Sequence, residues 1–375
     1  MTELLTTLEN TSLHDYALYF PRYSPWLRQV LSGFYDLQSL SEAHVHAHLV
    51  PHTRLPQNML LAVRRDGYRV IYDLNDGYNF LEGQSDPNRF FEDILAKVDV
   101  YFKATCIPER HRDLRGGHKI RPLGPISTFL GSTSNPFDVG LVPLAPKTIA
   151  RNLLGVSDSL SRFTRTNNRH LWPRQYERSE NAIRRPTAVY FTRLFDLNAP
   201  EIETDAVRQE RADLNAFRCA LVRCGRVELG PRFVGGLIPS ETARRTAPDC
   251  VSHASEAHSR WSYLTTMRDS TVGIATSALH SCASGKLVEY IAASRAVVSQ
   301  RLRIEMPGDF EVSRNYLAAD SPEECIEAAA RILDDGNLAY RLMRDNREYY
   351  TSYLKPAAMV RRTLRIAAVE ACQSV

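Results

Sequence analysis

The chain has 375 residues, of which 43% are hydrophobic and 24% are charged, a composition that is typical of folded globular domains and excludes wholesale disorder. Because this length exceeds the size at which one hydrophobic core usually keeps growing, we expect two domains. Lysine and arginine number 47 against 43 aspartate and glutamate residues, and the net charge of +4 is too small and too evenly spread to indicate a nucleic-acid partner.

The N-terminal residues, MTELLTTLENTSLHDY, include acids and lack the apolar core of a signal peptide. No stretch of about 18 uncharged apolar residues occurs, so the sequence predicts no transmembrane segment. We therefore expect a cytoplasmic protein, with peripheral membrane contact left open. The seven cysteines form no CxxC pair and indicate neither a disulfide framework nor a zinc knuckle.

The first half alternates apolar runs of strand length with helical or loop segments. Strands are predicted within residues 44–52, 68–74, 98–105 and 118–124. Between them PNRFFEDILAKV, residues 87–98, places its apolar residues on one helical face after a proline start. Strands separated by covering segments favour a parallel sheet, and we assign residues 1–170 to an N-terminal Rossmann-like domain.

A polar and basic segment at 171–186 is the predicted interdomain linker. Residues 187–355 repeat the alternation and predict a second Rossmann-like domain, with strands in the runs 187–195, 232–238, 270–276, 296–300 and 316–319. A helix pattern runs from Arg211 to Arg223, and the cap sequence at Ser321 predicts a helix through Leu333. Residues 356–375 predict a C-terminal helix that could pack back on the N-terminal domain.

The segment SALHSCASGKLVEYIAASRAVVSQ, residues 277–300, predicts a loop of small residues, a short helix and a strand. In an open α/β sheet the ligand lies beyond the strand ends, where helix N-termini offer unpaired N–H groups to an anion. Ser284 and Gly285 allow close approach of the backbone. Lys286 adds a positive charge, and Glu289 lies on the same side of the helix, where its carboxylate can accept both hydroxyls of a ribose. The spacing alone fits a solvated Lys286–Glu289 pair equally well.

This run begins a series of blocks, GKLVEYIAASRAVVSQRL, MPGDF, NYL, SPEEC, DNREYY and YLKP, that resembles the C-terminal domain of nucleotide-sugar glycosyltransferases of the GT-B fold. The similarity is to the group 1 glycosyltransferases and their spore-maturation-type relatives, and it covers about residues 187–356. It implies an α/β protein with two Rossmann-like domains facing a central cleft. It also implies an enzyme that transfers a sugar from a nucleotide-diphosphate sugar to a hydroxyl of a carbohydrate or glycoconjugate acceptor, in polysaccharide or glycoconjugate biosynthesis, without a metal cofactor.

The resemblance also assigns donor-binding residues. Glu289 matches a glutamate that contacts the donor ribose, and Arg193, in YFTRLFD, matches an arginine that neutralises the donor diphosphate. Many members carry a second acid eight positions before the glutamate, but this chain has Ser281 there, so the resemblance does not assign retaining chemistry. The full expected donor set is Arg193, Gly235, Gly236, His280, Ser284, Gly285, Lys286, Leu287 and Glu289.

Several of these residues have a structural alternative. Arg193 also fits a surface arginine after an edge strand, and Gly235 and Gly236 also fit a plain turn at a strand end. His280 also fits a purely structural histidine.

On the acceptor side, Asp73 and Asp76 follow the predicted strand YRVIYDL, at the strand end where ligands of α/β proteins collect, and they are the candidate catalytic bases. Asp76 precedes Gly77 and fits an Asp-Gly turn as well. The block VDVYFKATCIPE resembles the N-terminal domain of the same relatives, with Lys103 as an acceptor-side charge.

Three histidines alternate along one predicted strand, at positions 44, 46 and 48. Imidazoles at that spacing can ligate a metal, but no carboxylate or cysteine completes the set. We therefore expect no metal site and favour an acceptor-side role for His46.

The hypothesis is glycosyl transfer, in which Arg193 and Lys286 stabilise charge on the departing diphosphate and Glu289 positions the nucleoside. Two alternatives remain open from the sequence. One is a sugar-nucleotide epimerase of related fold, which needs no acceptor, and the other is a non-catalytic nucleotide-sugar-binding protein.

Overall fold

The computed structural model describes residues 14–22, 24–51, 55–78, 86–128, 131, 172–181, 185–199, 204–254 and 259–373. The chain divides into two compact units. Unit 1 comprises 1–173, 305–307 and 351–375, and unit 2 comprises 174–304 and 308–350. Each unit contains one sheet and covering helices, so the predicted α/β class with two Rossmann-like units is confirmed.

Unit 1 contains a six-stranded sheet of order β2-β1-β3-β4-β5-β6. The strands are β1 His14–Phe20, β2 Ala43–Leu49, β3 Met59–Arg64, β4 Arg69–Asp73, β5 Val100–Lys103 and β6 Ile120–Pro122. The neighbours β1–β2, β4–β5 and β5–β6 pair in parallel. The strands predicted near 44–52, 68–74, 98–105 and 118–124 are therefore present, with somewhat tighter bounds.

The expectation of a purely parallel first sheet is wrong, because β3 runs antiparallel to both of its neighbours. A tight connection joins β3 to β4, with Met59 opposite Asp73 and Val63 opposite Arg69. Gly67 lies in this connection at a φ of +91°, a backbone conformation that residues with a Cβ rarely adopt. A connection this short can join antiparallel strands but not parallel ones.

In the part of unit 1 that the structure describes, the α-helices are Arg28–Ser39, Pro87–Leu95 and Pro356–Gln373. The C-terminal helix packs closely on the first one, since a Cβ at Gly33 would overlap the carbonyl oxygen of Pro356. The hydroxyl of Tyr72 on β4 lies 2.7 Å from that of Thr363, and Arg362 donates to the carbonyl of Leu123 at 2.8 Å. The last helix is thus part of the core of unit 1.

Unit 2 contains a five-stranded sheet of order β11-β10-β9-β7-β8, in which all pairs are parallel. The strands are β7 Arg185–Thr192, β8 Phe233–Leu237, β9 Ser270–Ala275, β10 Ala296–Gln300 and β11 Leu317–Ala319. The central strands are buried on both faces, as expected for a parallel sheet covered by helices. All five strands agree with the predicted runs.

The described helices of unit 2 are Asp205–Glu228, Glu241–Thr246, Arg260–Asp269, Gly285–Ala292, Pro322–Asp334 and Gly336–Tyr349. Two short elements span the unit boundaries, the helix Pro173–Tyr176 and the π-helical turn Tyr350–Leu354. Side-chain caps explain several starts. The hydroxyls of Thr204, Ser259 and Ser321 accept from the N–H groups of Val207, Ser262 and Glu324. The Asp205–Glu228 helix extends beyond the predicted pattern at 211–223. Its first and last turns are largely exposed, so they carry no apolar periodicity by which the sequence could have shown them.

The strand order of unit 2 creates a topological switch at β7. The chain continues from β7 to β8 on one side of the sheet and then returns to β9 on the other side. The connections after β7 and β9 therefore leave the sheet in opposite directions, and a crevice opens between them at the carboxyl ends of the strands. Ligands of open α/β sheets bind at such switch points.

Candidate functional site

A pocket of about 570 Å³ lies at the switch point of unit 2. The end of β7, the residue after β8 and the starts of two helices contribute its walls. The lining residues are Phe191, Thr192, Arg193, Ile238, Ser259, Arg260, Tyr263, Gly285, Lys286 and Glu289. Arg193, Gly285, Lys286 and Glu289 of the predicted donor set are thus brought to one cavity.

Arg193 is exposed and follows β7 directly. Its loop is held by the Asp205–Glu228 helix, because Arg218 donates to the Arg193 carbonyl at 2.8 Å and to the Ser277 carbonyl at 3.2 Å. The side-chain amide of Asn215 binds both the N–H and the C=O of Phe195 at 2.8 Å. These bonds leave the Arg193 guanidinium on a fixed backbone at the rim of the pocket.

The Gly285–Ala292 helix begins at the pocket with Ser284 in the N-cap position. The Ser284 side chain caps no N–H group of the helix, and among the described residues its buried hydroxyl has no hydrogen-bond partner. A Cβ at Gly285 would meet no atom within 4 Å, so the helix start faces open space. The first N–H groups of a helix lack partners within it and carry a partial positive charge, which favours an anion at this position.

The carboxylate of Glu289 is engaged by side chains of this chain. Arg260 donates with Nη2 to Oε1 at 2.6 Å and with Nη1 to Oε2 at 3.2 Å. The Tyr263 hydroxyl donates to Oε2 at 3.0 Å, and Lys286 Nζ lies 3.5 Å from the same oxygen. The Glu289 side chain is only 8% exposed. Glu289 and Lys286 are therefore not the solvated pair that the spacing alone allowed.

Burial raises the pKa of the Glu289 carboxyl, but the charges of Arg260 and Lys286 and the hydrogen bonds from Arg260 and Tyr263 outweigh it and lower the pKa to about 2. Burial lowers the pKa of the Lys286 ammonium to about 8, although Glu289 attracts its proton. The ammonium also lies 3.3 Å from the centroid of the Tyr263 ring, in a cation–π contact.

The described residues that line this pocket include three cations and one carboxylate, so the pocket has excess positive charge at neutral pH. Arg260 and Lys286 are partly exposed, at 33% and 27% of their side-chain surface, and Arg193 is exposed. Cations that remain accessible beside a helix start form a site suited to a phosphate or diphosphate.

Other residues of the predicted donor set lie outside the lining of this pocket. Leu287 is fully buried in the core side of its helix. Gly235 and Gly236 lie within β8, where a Cβ at Gly235 would overlap the Tyr190 carbonyl oxygen and one at Gly236 would lie 2.9 Å from the Ser252 Cβ. Close packing of neighbouring protein segments thus explains both glycines, and neither forms the plain turn considered as their alternative.

His280 lies on the loop before the Gly285 helix, next to a second cavity of about 860 Å³ in unit 2 that Ser281 and Glu210 line. His280 and Ser281 both have a left-handed backbone, with φ of 62° and 60°. The His280 N–H donates to Glu210 Oε1 at 2.7 Å, which holds this strained loop on the Asp205–Glu228 helix. The Glu210 carboxylate thus contacts the residue before Ser281 and lines the same cavity as Ser281.

The acceptor-side acids of unit 1 differ in burial. Asp73 is fully buried: Oδ2 binds Lys103 Nζ at 2.7 Å and the Tyr101 hydroxyl at 2.8 Å, and Oδ1 accepts two hydrogen bonds from Asn75. Lys103 is fully buried as well, which argues against its predicted role as an accessible charge. Asp76 is exposed and precedes Gly77, whose φ of 55° gives the Asp-Gly turn considered as its alternative.

His44, His46 and His48 are exposed along β2, and the ring of His48 stacks on Tyr19 at 5.0 Å. Among the described residues, no group of three or more histidine, cysteine, aspartate or glutamate side chains is placed to hold a metal ion. In that same part of the chain, no helix is long and apolar enough to cross a membrane.

Arg260 and Tyr263, whose side chains bind the Glu289 carboxylate, are site residues that the sequence did not indicate. They stand 29 and 26 positions before Glu289, on a helix with weak apolar periodicity. The single local signal is Ser259, which caps the helix and places Arg260 at its first position.

No protein-family model matches the chain, and no curated protein matches its sequence. The solved structures to which it is similar include the C-terminal domain of LpcC from Francisella tularensis, a group 1 glycosyltransferase, at 10% identity and a TM-score of 0.32 over 49% of this chain and 97% of that one. TarM from S. aureus is 11% identical with a TM-score of 0.39, over 90% of this chain and 58% of TarM, so the chain spans little more than half of that protein. HepE from Anabaena, solved in complex with UDP and glucose, is 11% identical with a TM-score of 0.33, over 93% and 98%.

Proposed function

We propose that the protein is a glycosyltransferase and that the pocket at the β7 switch point binds the diphosphate of a nucleotide-diphosphate sugar. One observation carries the proposal: Arg193, Arg260 and Lys286 converge on the start of the Gly285–Ala292 helix, where the described lining offers one carboxylate against three cations. A doubly charged anion is the ligand that this excess favours.

In this proposal the acceptor hydroxyl attacks the anomeric carbon of the donor sugar, and the bond from that carbon to the diphosphate oxygen breaks. The bonding electron pair remains on the diphosphate, where negative charge develops. In the proposal Arg193 and Lys286 stabilise this charge as it develops, which is the stage at which preorganised cations accelerate a reaction most. Because the chain supplies the cations itself, the proposal includes no metal ion.

The acceptor hydroxyl must lose its proton, and of the two predicted bases we propose the exposed Asp76. Asp73 is unsuited to this role, since its oxygens are occupied and sealed from solvent. The proposed acceptor is a carbohydrate or glycoconjugate in a polysaccharide or glycoconjugate pathway, as the sequence blocks imply.

Thermal melting with a panel of UDP-, GDP- and ADP-sugars tests donor binding, because a ligand that binds only the native state raises the melting temperature. We expect one nucleotide family to raise it and Arg193→Ala to abolish the shift. Arg314→Ala is the matched control, since Arg314 is an exposed arginine of the same unit outside the pocket lining. If no nucleotide sugar shifts the melting temperature of the unmodified protein, the proposal is wrong.

Product analysis with the binding donor then separates the enzymatic classes. A glycosyltransferase transfers the sugar when a carbohydrate acceptor is present, and its activity persists in EDTA. An epimerase changes the sugar without an acceptor, and a non-catalytic binding protein leaves the donor intact in every reaction.

A further inference from the structure

Glu289 has little capacity left for a ribose. A carboxylate offers about four lone-pair positions. Arg260 takes one on Oε1, and Arg260, Tyr263 and Lys286 approach Oε2. A ribose diol needs two acceptor positions on this carboxylate, so it would have to displace a donor that is already bound. Displacing the Arg260 guanidinium would leave a charge without its partner beside a buried acid.

Arg260, in contrast, retains capacity for a ligand. Its guanidinium has more N–H donors than the two that Glu289 occupies. The side chain is 33% exposed and lines the pocket together with Lys286 and Arg193. The bidentate pair with Glu289 and the Ser259 cap at the helix start fix its orientation. A fixed, partly exposed guanidinium with unused donors is a preorganised anion ligand.

We infer that Arg260 is a third cationic ligand of the donor diphosphate and that Glu289 is the positioning residue that holds Arg260 and Lys286 toward it, instead of a ribose acceptor. The inference rests on the proposed function, since it assigns the diphosphate to the same pocket. It changes what the pocket recognises: phosphate number and charge determine affinity, and the ribose hydroxyls contribute nothing through Glu289.

The experiment measures affinities by titration calorimetry for UDP, GDP and ADP, and for the 2′-deoxy, 3′-deoxy and monophosphate forms of the nucleotide that binds best. The proteins are the full chain and its Glu289→Gln, Arg260→Gln and Arg260→Lys variants. Melting temperatures without ligand identify any variant that is unfolded, and Arg260→Lys retains the charge in case Arg260→Gln does not fold.

Three results support the inference. Glu289→Gln lowers the affinities for the ribonucleoside and deoxyribonucleoside diphosphates by the same factor, within about twofold, because Glu289 is not coupled to the ribose hydroxyls. Arg260→Gln lowers the affinity for the nucleoside diphosphate about tenfold or more, because charged hydrogen bonds to the second phosphate are lost. It lowers the affinity for the monophosphate by about threefold or less. Arg260→Lys recovers part of the diphosphate affinity.

Other results overturn it. If Glu289→Gln weakens the ribonucleotide about tenfold more than a deoxy form, the carboxylate contacts the ribose and the inference is wrong while the proposed function stands. If Arg260→Gln weakens diphosphate and monophosphate equally, Arg260 is not a ligand of the diphosphate. If none of UDP, GDP or ADP binds the unmodified protein, the proposed function fails and the inference fails with it.

Discussion

The ion pairs Asp73–Lys103 in unit 1 and Glu289–Arg260 in unit 2 both join a carboxylate to a basic side chain, but they differ in how far the basic side chain is exposed to solvent. In the first pair both side chains are 0% exposed, and one acid is matched with one base at 2.7 Å. In the second the acid is 8% exposed, but Arg260 is 33% exposed and Lys286 adds another cation. The comparison shows that accessible excess charge, rather than a buried acid, distinguishes a candidate ligand site from a core ion pair.

Asp73→Asn should produce the largest effect, because it leaves the buried Lys103 charge without its partner. We expect a loss of about 3–5 kcal/mol in the free energy of unfolding, measured by chemical denaturation. Nucleotide-diphosphate affinity of the folded fraction should not change.

Asp76→Asn is the matched control, since Asp76 is exposed on the same segment, and it should alter stability by less than about 0.5 kcal/mol. A stable Asp73→Asn protein that has lost sugar transfer would show instead that Asp73 acts in catalysis, and the contrast between the two pairs would be broken.

Lys286→Met tests the ion pair of unit 2, in which Lys286 adds a second cation beside Glu289. Removing this cation should weaken nucleoside-diphosphate binding about 10- to 100-fold, because contacts between charged groups are worth about 1.5–3 kcal/mol. Titration calorimetry measures the affinity, and Arg314→Ala, which lies outside the pocket lining, should leave it unchanged. Equal affinities of the Lys286→Met and unmodified proteins would mean that the excess charge of the pocket is not used.

Much of the fold was predictable because its signals are local. The β-branched run AVVSQ is the strand Ala296–Gln300, and the cap residue Ser321 marks the start of the Pro322–Asp334 helix. In contrast, the antiparallel β3 was not predicted. Its pairing depends on a tight connection around Gly67 and on neighbours distant in the chain, neither of which apolar periodicity reports.

Part of the candidate site was predictable because its residues are close together in the sequence. Ser284, Gly285, Lys286 and Glu289 are adjacent in sequence, so their helix start could be recognised locally. Arg260 could not, because it reaches Glu289 from another helix. Asp73 stands at a strand end like a ligand-binding acid, and only the tertiary structure shows that Lys103 and Tyr101 enclose it.

The pH dependence of nucleotide-sugar binding tests whether the accessible charge of Lys286 is used, because burial lowers the pKa of Lys286 to about 8. Lys286 is charged below this pH and neutral above it. The charges of its neighbours Arg260 and Glu289 stay constant near pH 8, because their mutual attraction raises the pKa of Arg260 and lowers that of Glu289. Affinity for a nucleotide sugar, whose diphosphate charge is constant in this range, should therefore fall about three- to tenfold between pH 7 and pH 9. Lys286→Gln should give a flat profile over the same range, and a parallel fall in both proteins would refute the assignment.

Gly285→Ala should have the smallest effect and tests the helix start itself. A Cβ at this position meets no atom within 4 Å, so the melting temperature should stay the same or rise slightly, as alanine favours helix over glycine by up to about 1 kcal/mol. The methyl group projects into the space that the diphosphate is proposed to occupy and should weaken binding about threefold. Gly336→Ala is the matched control: Gly336 also begins a helix, its Cβ would also be free of contacts, and it does not line the pocket. If both variants bind the nucleotide with unchanged affinity, the anion lies away from the Gly285 N–H group, and the cationic side chains alone hold it.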